Sequence, residues 1–110
     1  MKPVKKPWGN FKQFSLNEKS TVKILEVNPN QILSLQKHSK RREVWYFLTP
    51  GYVQIGNRRK KVNAGKEIKI GIGVLHRLYA KNKKVAVLEI SYGNFDENDI
   101  VRLEDKYNRI

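Results

Sequence analysis

Turn-forming residues interrupt this chain about every 8–12 positions, and the segments between them are short and rich in β-branched residues. The clearest turn signals are Asn28-Pro29-Asn30, Thr49-Pro50-Gly51 and the hairpin-type pair Gly56-Asn57. No segment before residue 95 repeats its apolar residues at a helical spacing. The chain is therefore predicted to be all-β, as an antiparallel sandwich or barrel.

A chain of 110 residues is enough for one domain, predicted over 1–110. The first seven residues are compatible with a loose arm, and the polar stretch 96–110 has room for at most one short C-terminal helix. The predicted strands cover 21–27, 32–38, 43–48, 52–55, 58–62, 67–70, 76–79 and 85–91.

Several classes of protein are excluded by composition. The chain has no cysteine, so disulfides, thiolate metal sites and thiol catalysis are impossible. No apolar run approaches the ~20 residues needed to span a bilayer. The charged N-terminus is not followed by the apolar segment of a signal peptide. We therefore expect no membrane association and a cytoplasmic location.

The charge is strongly basic, with 23 Lys and Arg against 10 Asp and Glu, for a net charge of +13. Such a surface attracts anions, including nucleic acid, anionic membranes and phosphorylated small molecules, although a merely solvated lysine-rich surface is equally compatible. The basic runs at 40–42 and 58–61 would suit phosphate contacts in a nucleic-acid binder. No nucleic-acid-binding motif accompanies them, so nucleic acid is not the expected partner.

The chain has only two histidines, and both fall among other potential metal ligands. Gln36 and His38 are two residues apart on a predicted strand and share one face. Glu43 returns on the next strand, and His76 opens a later one. Convergence inside a small barrel would create a site for Zn, Mn, Fe, Co or Ni with open coordination positions. The alternative is that each histidine is an ordinary core or surface residue.

Four separated stretches resemble the motifs of one family, in that family's order. Residues 33–45 read Leu-Ser-Leu-Gln-Lys-His-Ser-Lys-Arg-Arg-Glu-Val-Trp, which resembles the first cupin motif of the type II phosphomannose isomerases. Residues 6–11, 70–78 and 99–107 resemble the opening, second cupin and C-terminal motifs of that family. In this family the cupin domain often follows a mannose-1-phosphate guanylyltransferase domain, which these 110 residues do not include.

The resemblance implies a cupin barrel of the jelly-roll type holding one divalent metal ion. Carried over by position, the metal ligands would be Gln36, His38, Glu43 and His76. The sequence departs from the family where a second histidine is usual and Lys40 stands instead. On one alignment Lys40 replaces a residue that is not a ligand; on the other, the site has lost a ligand.

The implied reaction interconverts mannose 6-phosphate and fructose 6-phosphate through an enediolate. Lys40 is a candidate for the general base, although a solvated lysine is the alternative reading. Arg77 and Arg102 are the candidates for binding the phosphate, since arginine offers a bidentate fork. For Arg77 a structural ion pair is the alternative, because strand alternation turns it to the face opposite His76. The resemblance also implies a homodimer. The competing functions are a non-catalytic cupin that binds a sugar phosphate or sugar nucleotide, and a basic nucleic-acid-binding barrel.

Overall fold

The structure is a computed structural model that describes residues 2–109. This part of the chain contains eleven strands and no helix. The strands are β1 (Val4–Lys6), β2 (Gly9–Phe11), β3 (Ser20–Val27), β4 (Leu35–Lys37), β5 (Glu43–Phe47), β6 (Gly51–Ile55), β7 (Arg58–Val62), β8 (Glu67–Ile70), β9 (His76–Tyr79), β10 (Val85–Tyr92) and β11 (Val101–Glu104).

Two antiparallel sheets make up the body of the molecule. One has the strand order β3-β10-β5-β8 and the other β11-β4-β9-β6-β7, while β1 and β2 form a separate, exposed hairpin. Apolar side chains from both sheets pack in a common core, including Trp45, Phe47, Val53 and Leu78. Each large apolar side chain buried in this way stabilises the fold by roughly 1.5–3 kcal/mol.

The interior between the sheets is apolar at one end and polar at the other. Along β5 the inward positions are Glu43, Trp45 and Phe47, because alternate residues of a strand share a face. Phe47 lies opposite Val87 of β10, whereas Glu43 lies opposite Ser91. The inward-facing residues of β5 therefore run from the Glu43 carboxylate at the polar end of the interior to the Phe47 ring at its apolar end.

The N-terminal segment covers part of the outer face of the four-stranded sheet. Val44, Ile90 and Tyr92 form a second apolar cluster there, and Phe14 packs against it. The Tyr92 hydroxyl donates a hydrogen bond to the backbone oxygen of Phe14 at 2.6 Å. The chain therefore crosses this face before it enters β3.

The all-β prediction is confirmed, and the predicted strands occur with small shifts at their ends. The Gly56-Asn57 hairpin is confirmed too: Ile55 pairs with Arg58, and Gly56 has a φ of 58°, which glycine adopts without strain. One prediction was too long. The predicted strand 32–38 is reduced to β4, so His38 lies just beyond a strand end rather than on a strand face.

Strands occur near both ends of the chain, where the sequence analysis allowed a loose N-terminal arm and a short C-terminal helix. The stretch 96–110, which has room for a short helix, contributes β11 to the edge of the five-stranded sheet; residue 110 lies outside the described residues. The N-terminal seven residues include β1, which pairs with β2; residue 1 lies outside the described residues. No helix of residues 2–109 is long and apolar enough to cross a membrane.

Candidate metal centre

Three potential metal ligands meet at the polar end of the interior. His38 follows β4, Glu43 begins β5 and His76 begins β9. One donor atom from each lies within 4.8 Å of the other two, and all three side chains are buried. The Glu43 Oε1 atom is 3.6 Å from His76 Nε2 and 3.8 Å from His38 Nε2. Such a His-His-Glu cluster could hold a divalent metal ion.

Backbone carbonyl groups orient both imidazole rings. The Nδ1 atom of His38 is 2.6 Å from the Asp99 oxygen, and that of His76 is 2.8 Å from the Val74 oxygen. A carbonyl oxygen only accepts, so each Nδ1 carries a proton, and in the neutral imidazole the Nε2 atom presents a lone pair. Both lone pairs are directed toward Glu43, which is the arrangement that metal-binding histidines require.

The cluster contains buried polar atoms that lack a hydrogen bond. Among the described residues, Glu43 Oε1 and His76 Nε2 are buried without a hydrogen-bond partner. Both are acceptors, and their separation of 3.6 Å brings two lone pairs together. A proton on His76 would relieve this, but desolvation by burial lowers the pKa of that imidazole, despite the neighbouring Glu43 carboxylate. A cation between these atoms would satisfy both, so the donor set fits a metal ion.

Arg41 belongs to the site, which the sequence analysis missed. Its Nε atom donates to Glu43 Oε2 at 3.0 Å, and its Nη2 atom is 3.4 Å from His38 Nε2. Ser91 donates to the same Glu43 oxygen at 3.0 Å. The residue stands in a basic run that resembles a solvated turn, yet it is only 7% exposed. The sequence feature that could have indicated a role for Arg41 is its position inside the stretch that resembles the first cupin motif.

Gln36 lies next to the cluster. It is buried and directly opposite His76 in the pairing of β4 with β9, so the two side chains share a face. Arg102 of β11 lies opposite Gln36 on its other side and faces the same way. The roles of Gln36 as fourth ligand and of Arg102 in phosphate binding remain predictions.

In the described chain, neither Lys40 nor Arg77 makes a side-chain hydrogen bond or ion pair with the residues of the cluster. Lys40 is exposed, and its backbone amide donates to the Asp99 carboxylate at 2.9 Å. The Arg77 guanidinium donates to the Leu33 carbonyl and to Glu104, both at 3.0 Å. Because Arg77 follows His76 on one strand, it points to the opposite face of the sheet. The structure thus does not bring these two predicted site residues to the histidines.

A cation-lined cavity of about 480 Å³ opens beside the cluster. Its lining includes Lys23, Arg41 and Arg102, the ring of Phe95 and the exposed carboxylate of Glu97. The Lys23 ammonium lies 4.0 Å from the Phe95 ring centroid, and the Arg41 guanidinium carbon lies 4.5 Å from it. The Arg102 Nε atom is buried and lacks a hydrogen-bond partner among the described residues. An anion in this cavity would meet three cationic side chains and one carboxylate, and Arg41 connects the cavity with His38 and Glu43.

The sequence matches a family described as "Mannose-6-phosphate isomerase C-terminal" over residues 1–105. This chain belongs to that family. The resemblance found in the motifs is thereby confirmed. One relative is mannose-1-phosphate guanylyltransferase ManC of Salmonella typhimurium, which is 32% identical to this chain over 110 residues. The match covers 97% of this chain and 23% of ManC. Alginate biosynthesis protein AlgA of Pseudomonas aeruginosa is 31% identical over 109 residues, 96% of this chain and 23% of AlgA.

The family member therefore spans less than a quarter of the length of these relatives. Solved structures with the same fold include oxalate decarboxylase from Bacillus subtilis, with a TM-score of 0.70, 22% identity, and coverage of 78% of this chain and 24% of that one. A cupin protein from Bacteroides fragilis has a TM-score of 0.62 and 17% identity, covering 74% and 72%. The fold is that of a cupin, as predicted.

Proposed function

We propose that this cupin binds one divalent metal ion, from among Zn, Mn, Fe, Co and Ni, through His38, Glu43 and His76. The observation that carries the proposal is the pair of buried acceptors, Glu43 Oε1 and His76 Nε2, which have no hydrogen-bond partner in the described chain. Imidazole and carboxylate are ligands that these metals accept, and three protein ligands leave positions open for a substrate. Gln36 is the candidate for a fourth ligand.

We further propose that the chain interconverts mannose 6-phosphate and fructose 6-phosphate. The metal ion, when bound, supplies Lewis-acid stabilisation of the negative charge that develops on the sugar oxygens. The cavity beside the cluster supports a phosphorylated substrate, because Lys23 and Arg102 line it and can pair with a phosphate group. Arg41 holds the Glu43 carboxylate and adds a positive charge at the inner end of the cavity.

A coupled assay for fructose 6-phosphate, with added metal and with chelator, tests this function. We expect turnover that needs metal and that is lost in His38→Ala and His76→Ala. Metal content, measured by elemental analysis, should fall with activity in both variants, while circular dichroism stays unchanged. Lys40→Ala serves as a comparison that tests the base suggested by the sequence. A folded protein that takes up none of the five metals would contradict the proposal.

A non-catalytic cupin that binds a sugar phosphate or sugar nucleotide is the second candidate. One observation favours it: the Arg41 guanidinium already faces both His38 Nε2 and Glu43 Oε2, so a cation stands against two of the three ligands. Under this alternative the cavity binds its anion without metal. Binding of mannose 6-phosphate that is indifferent to chelator, without turnover, would favour it. The expected homodimer remains a prediction, which the sedimentation coefficient in solution checks.

A further inference from the structure

Another buried carboxyl group, that of Glu89, lies inside the molecule and has no role in the site described above. Glu89 is 9% exposed and belongs to β10. It is paired with Lys23 of β3 on one side and with Trp45 of β5 on the other. Side chains paired directly across antiparallel strands share a face, so all three project into the interior.

The neighbours of Glu89 connect the cavity with the metal ligands. Lys23, on one side, lines the cavity and lies over the Phe95 ring. Trp45, on the other side, makes an edge contact with His76, at 5.3 Å between ring centroids. The next inward residue of β10 is Ser91, which hydrogen-bonds Glu43. Glu89 is therefore positioned between the cation-lined cavity and the His-His-Glu cluster.

The surroundings of Glu89 suit a group that exchanges a proton near neutrality. Burial and the charge of Glu43 raise its pKa to about 7, against the opposing influence of Lys23 and Arg41. The Trp45 indole nitrogen is buried and has no hydrogen bond of standard geometry. Its N–H nevertheless lowers the pKa of Glu89, because it favours the ionised carboxylate. General bases work best when their pKa lies close to the working pH.

The other candidates for proton transfer are less suitable. Glu43 is held by Arg41 and Ser91 and faces both histidines. His38 and His76 present their free nitrogens to that same carboxylate. Lys40 is exposed to solvent. The Asp99 carboxylate, which is also buried, accepts hydrogen bonds from Ser39 and Lys40. Among the described residues, Glu89 is the remaining buried carboxyl group beside the cluster, and it is not one of the proposed metal ligands.

We propose that Glu89 is the catalytic base that moves the proton between C2 and C1 of the sugar phosphate, an inference that rests on the proposed isomerase function. The carboxylate takes the proton from C2, the C–H electron pair becomes the C1–C2 double bond, and the C1 carbonyl oxygen takes up the negative charge. The resulting carboxylic acid returns the proton to C1. A proton passes from the C2 hydroxyl to the C1 oxygen, so the product is an isomer of the substrate.

Glu89→Gln tests this proposal, because it keeps the shape of the side chain and removes the proton acceptor. We expect kcat to fall by about 100-fold or more. Metal content should stay at the wild-type value because Glu89 is not a proposed metal ligand. KM should change little because the groups proposed to bind the phosphate are Lys23 and Arg102. Glu26→Gln is the matched control: Glu26 is exposed on β3 and pairs with Lys84, so its loss should leave kcat unchanged.

The possible outcomes are distinguishable. Full kcat in a folded, metal-loaded Glu89→Gln protein would overturn the role of Glu89 and leave the isomerase function intact. An inactive wild-type protein would overturn the isomerase function and this proposal with it. Should Glu89→Gln fold poorly, Glu89→Met offers an apolar side chain of similar size in the same place. A second readout is the incorporation of solvent deuterium at C2 of substrate recovered from D2O. This incorporation should be lost in Glu89→Gln and in Glu89→Met.

Discussion

The Nδ1 atom of His38 lies 2.6 Å from the backbone oxygen of Asp99, a residue 61 positions further along the chain. The Asp99 carboxylate also accepts hydrogen bonds from the amide and hydroxyl of Ser39 and from the amide of Lys40, at 2.7–2.9 Å. The C-terminal segment thus holds both the ring of one proposed metal ligand and the loop that carries it. Partners of this kind tune metal affinity without touching the metal.

Replacing Asp99 by alanine should weaken metal binding and the fold together. Loss of its three side-chain hydrogen bonds frees the loop after His38, and we expect metal affinity to fall about 10–100-fold. Unsatisfied amides in this loop should reduce the free energy of unfolding by about 1–3 kcal/mol. Calorimetric metal titration and urea unfolding measure the two effects. Unchanged metal affinity in Asp99→Ala would show that the loop is held by other contacts.

Acid should remove the stabilising contribution of Asp99. Burial raises the pKa of this carboxyl, but hydrogen bonds from Ser39 and Lys40 together outweigh that effect and lower the pKa to about 2. In the unfolded chain the value is about 3.9, so unfolding takes up a proton between the two values. The contribution is therefore complete above about pH 4 and is lost as the pH falls through about 2. We expect the free energies of unfolding of wild type and Asp99→Asn to converge between these pH values.

Arg41 and Arg42 are neighbours in sequence and should respond very differently to substitution. Arg41→Met leaves the buried Glu43 carboxylate without its cation, which should cost about 3–5 kcal/mol in metal-free protein. Arg42 pairs with Glu18 in solvent, so Arg42→Met should cost less than about 1 kcal/mol. Urea unfolding without metal compares the two.

Bound metal should reverse much of the damage in Arg41→Met. A divalent cation between Glu43 and the histidines would compensate the same carboxylate, so added metal should stabilise this variant more than it stabilises wild type. Equal stabilisation of both proteins would show that Glu43 does not bind the metal.

Substitutions of Arg102 and Arg77 should affect different properties, substrate binding in the first case and stability in the second. Arg102 lines the cavity with a free Nε atom, so Arg102→Met should raise KM for the sugar phosphate about tenfold or more, with little change in metal content. Arg77 is bound to Leu33 and Glu104, and Arg77→Met should lower stability while leaving KM unchanged. Steady-state kinetics on both variants measure the effect. The reverse pattern would restore Arg77 as the phosphate-binding residue.

Gly51 should not tolerate a side chain, for purely steric reasons. A Cβ atom built there would lie 2.6 Å from Val85 Cγ1 and 2.8 Å from Phe47 Cε2, inside the apolar core. We expect Gly51→Ala to cost about 1–3 kcal/mol. Gly71→Ala is the control, because its nearest contact is an ordinary 3.6 Å to Val74, and its cost should stay within about 0.5 kcal/mol. Thermal unfolding of both variants compares them.

Much of the fold could be read from local patterns. The strands from β5 to β10 begin or end within a residue or two of their predictions, because turn residues and alternating β-branched segments are local signals. The His38, Glu43 and His76 cluster was also anticipated, since these ligands fall within two recognisable motifs. β11 was missed because Val101–Glu104 lies in a polar stretch with weak alternation, and pairing with β4 decides its conformation.

The sequence by itself determined an all-β cupin and predicted that two histidines and a glutamate would meet in its interior. Only the tertiary structure decided that Arg41 is buried against Glu43, that Arg77 is buried against Leu33 and Glu104, and that Glu89 lies between the cavity and the cluster. The physical reason is that ionisable side chains respond to burial and to partners on distant strands. In this molecule those partners are brought together by the register of β10 with β3 and β5, which no short stretch of sequence encodes.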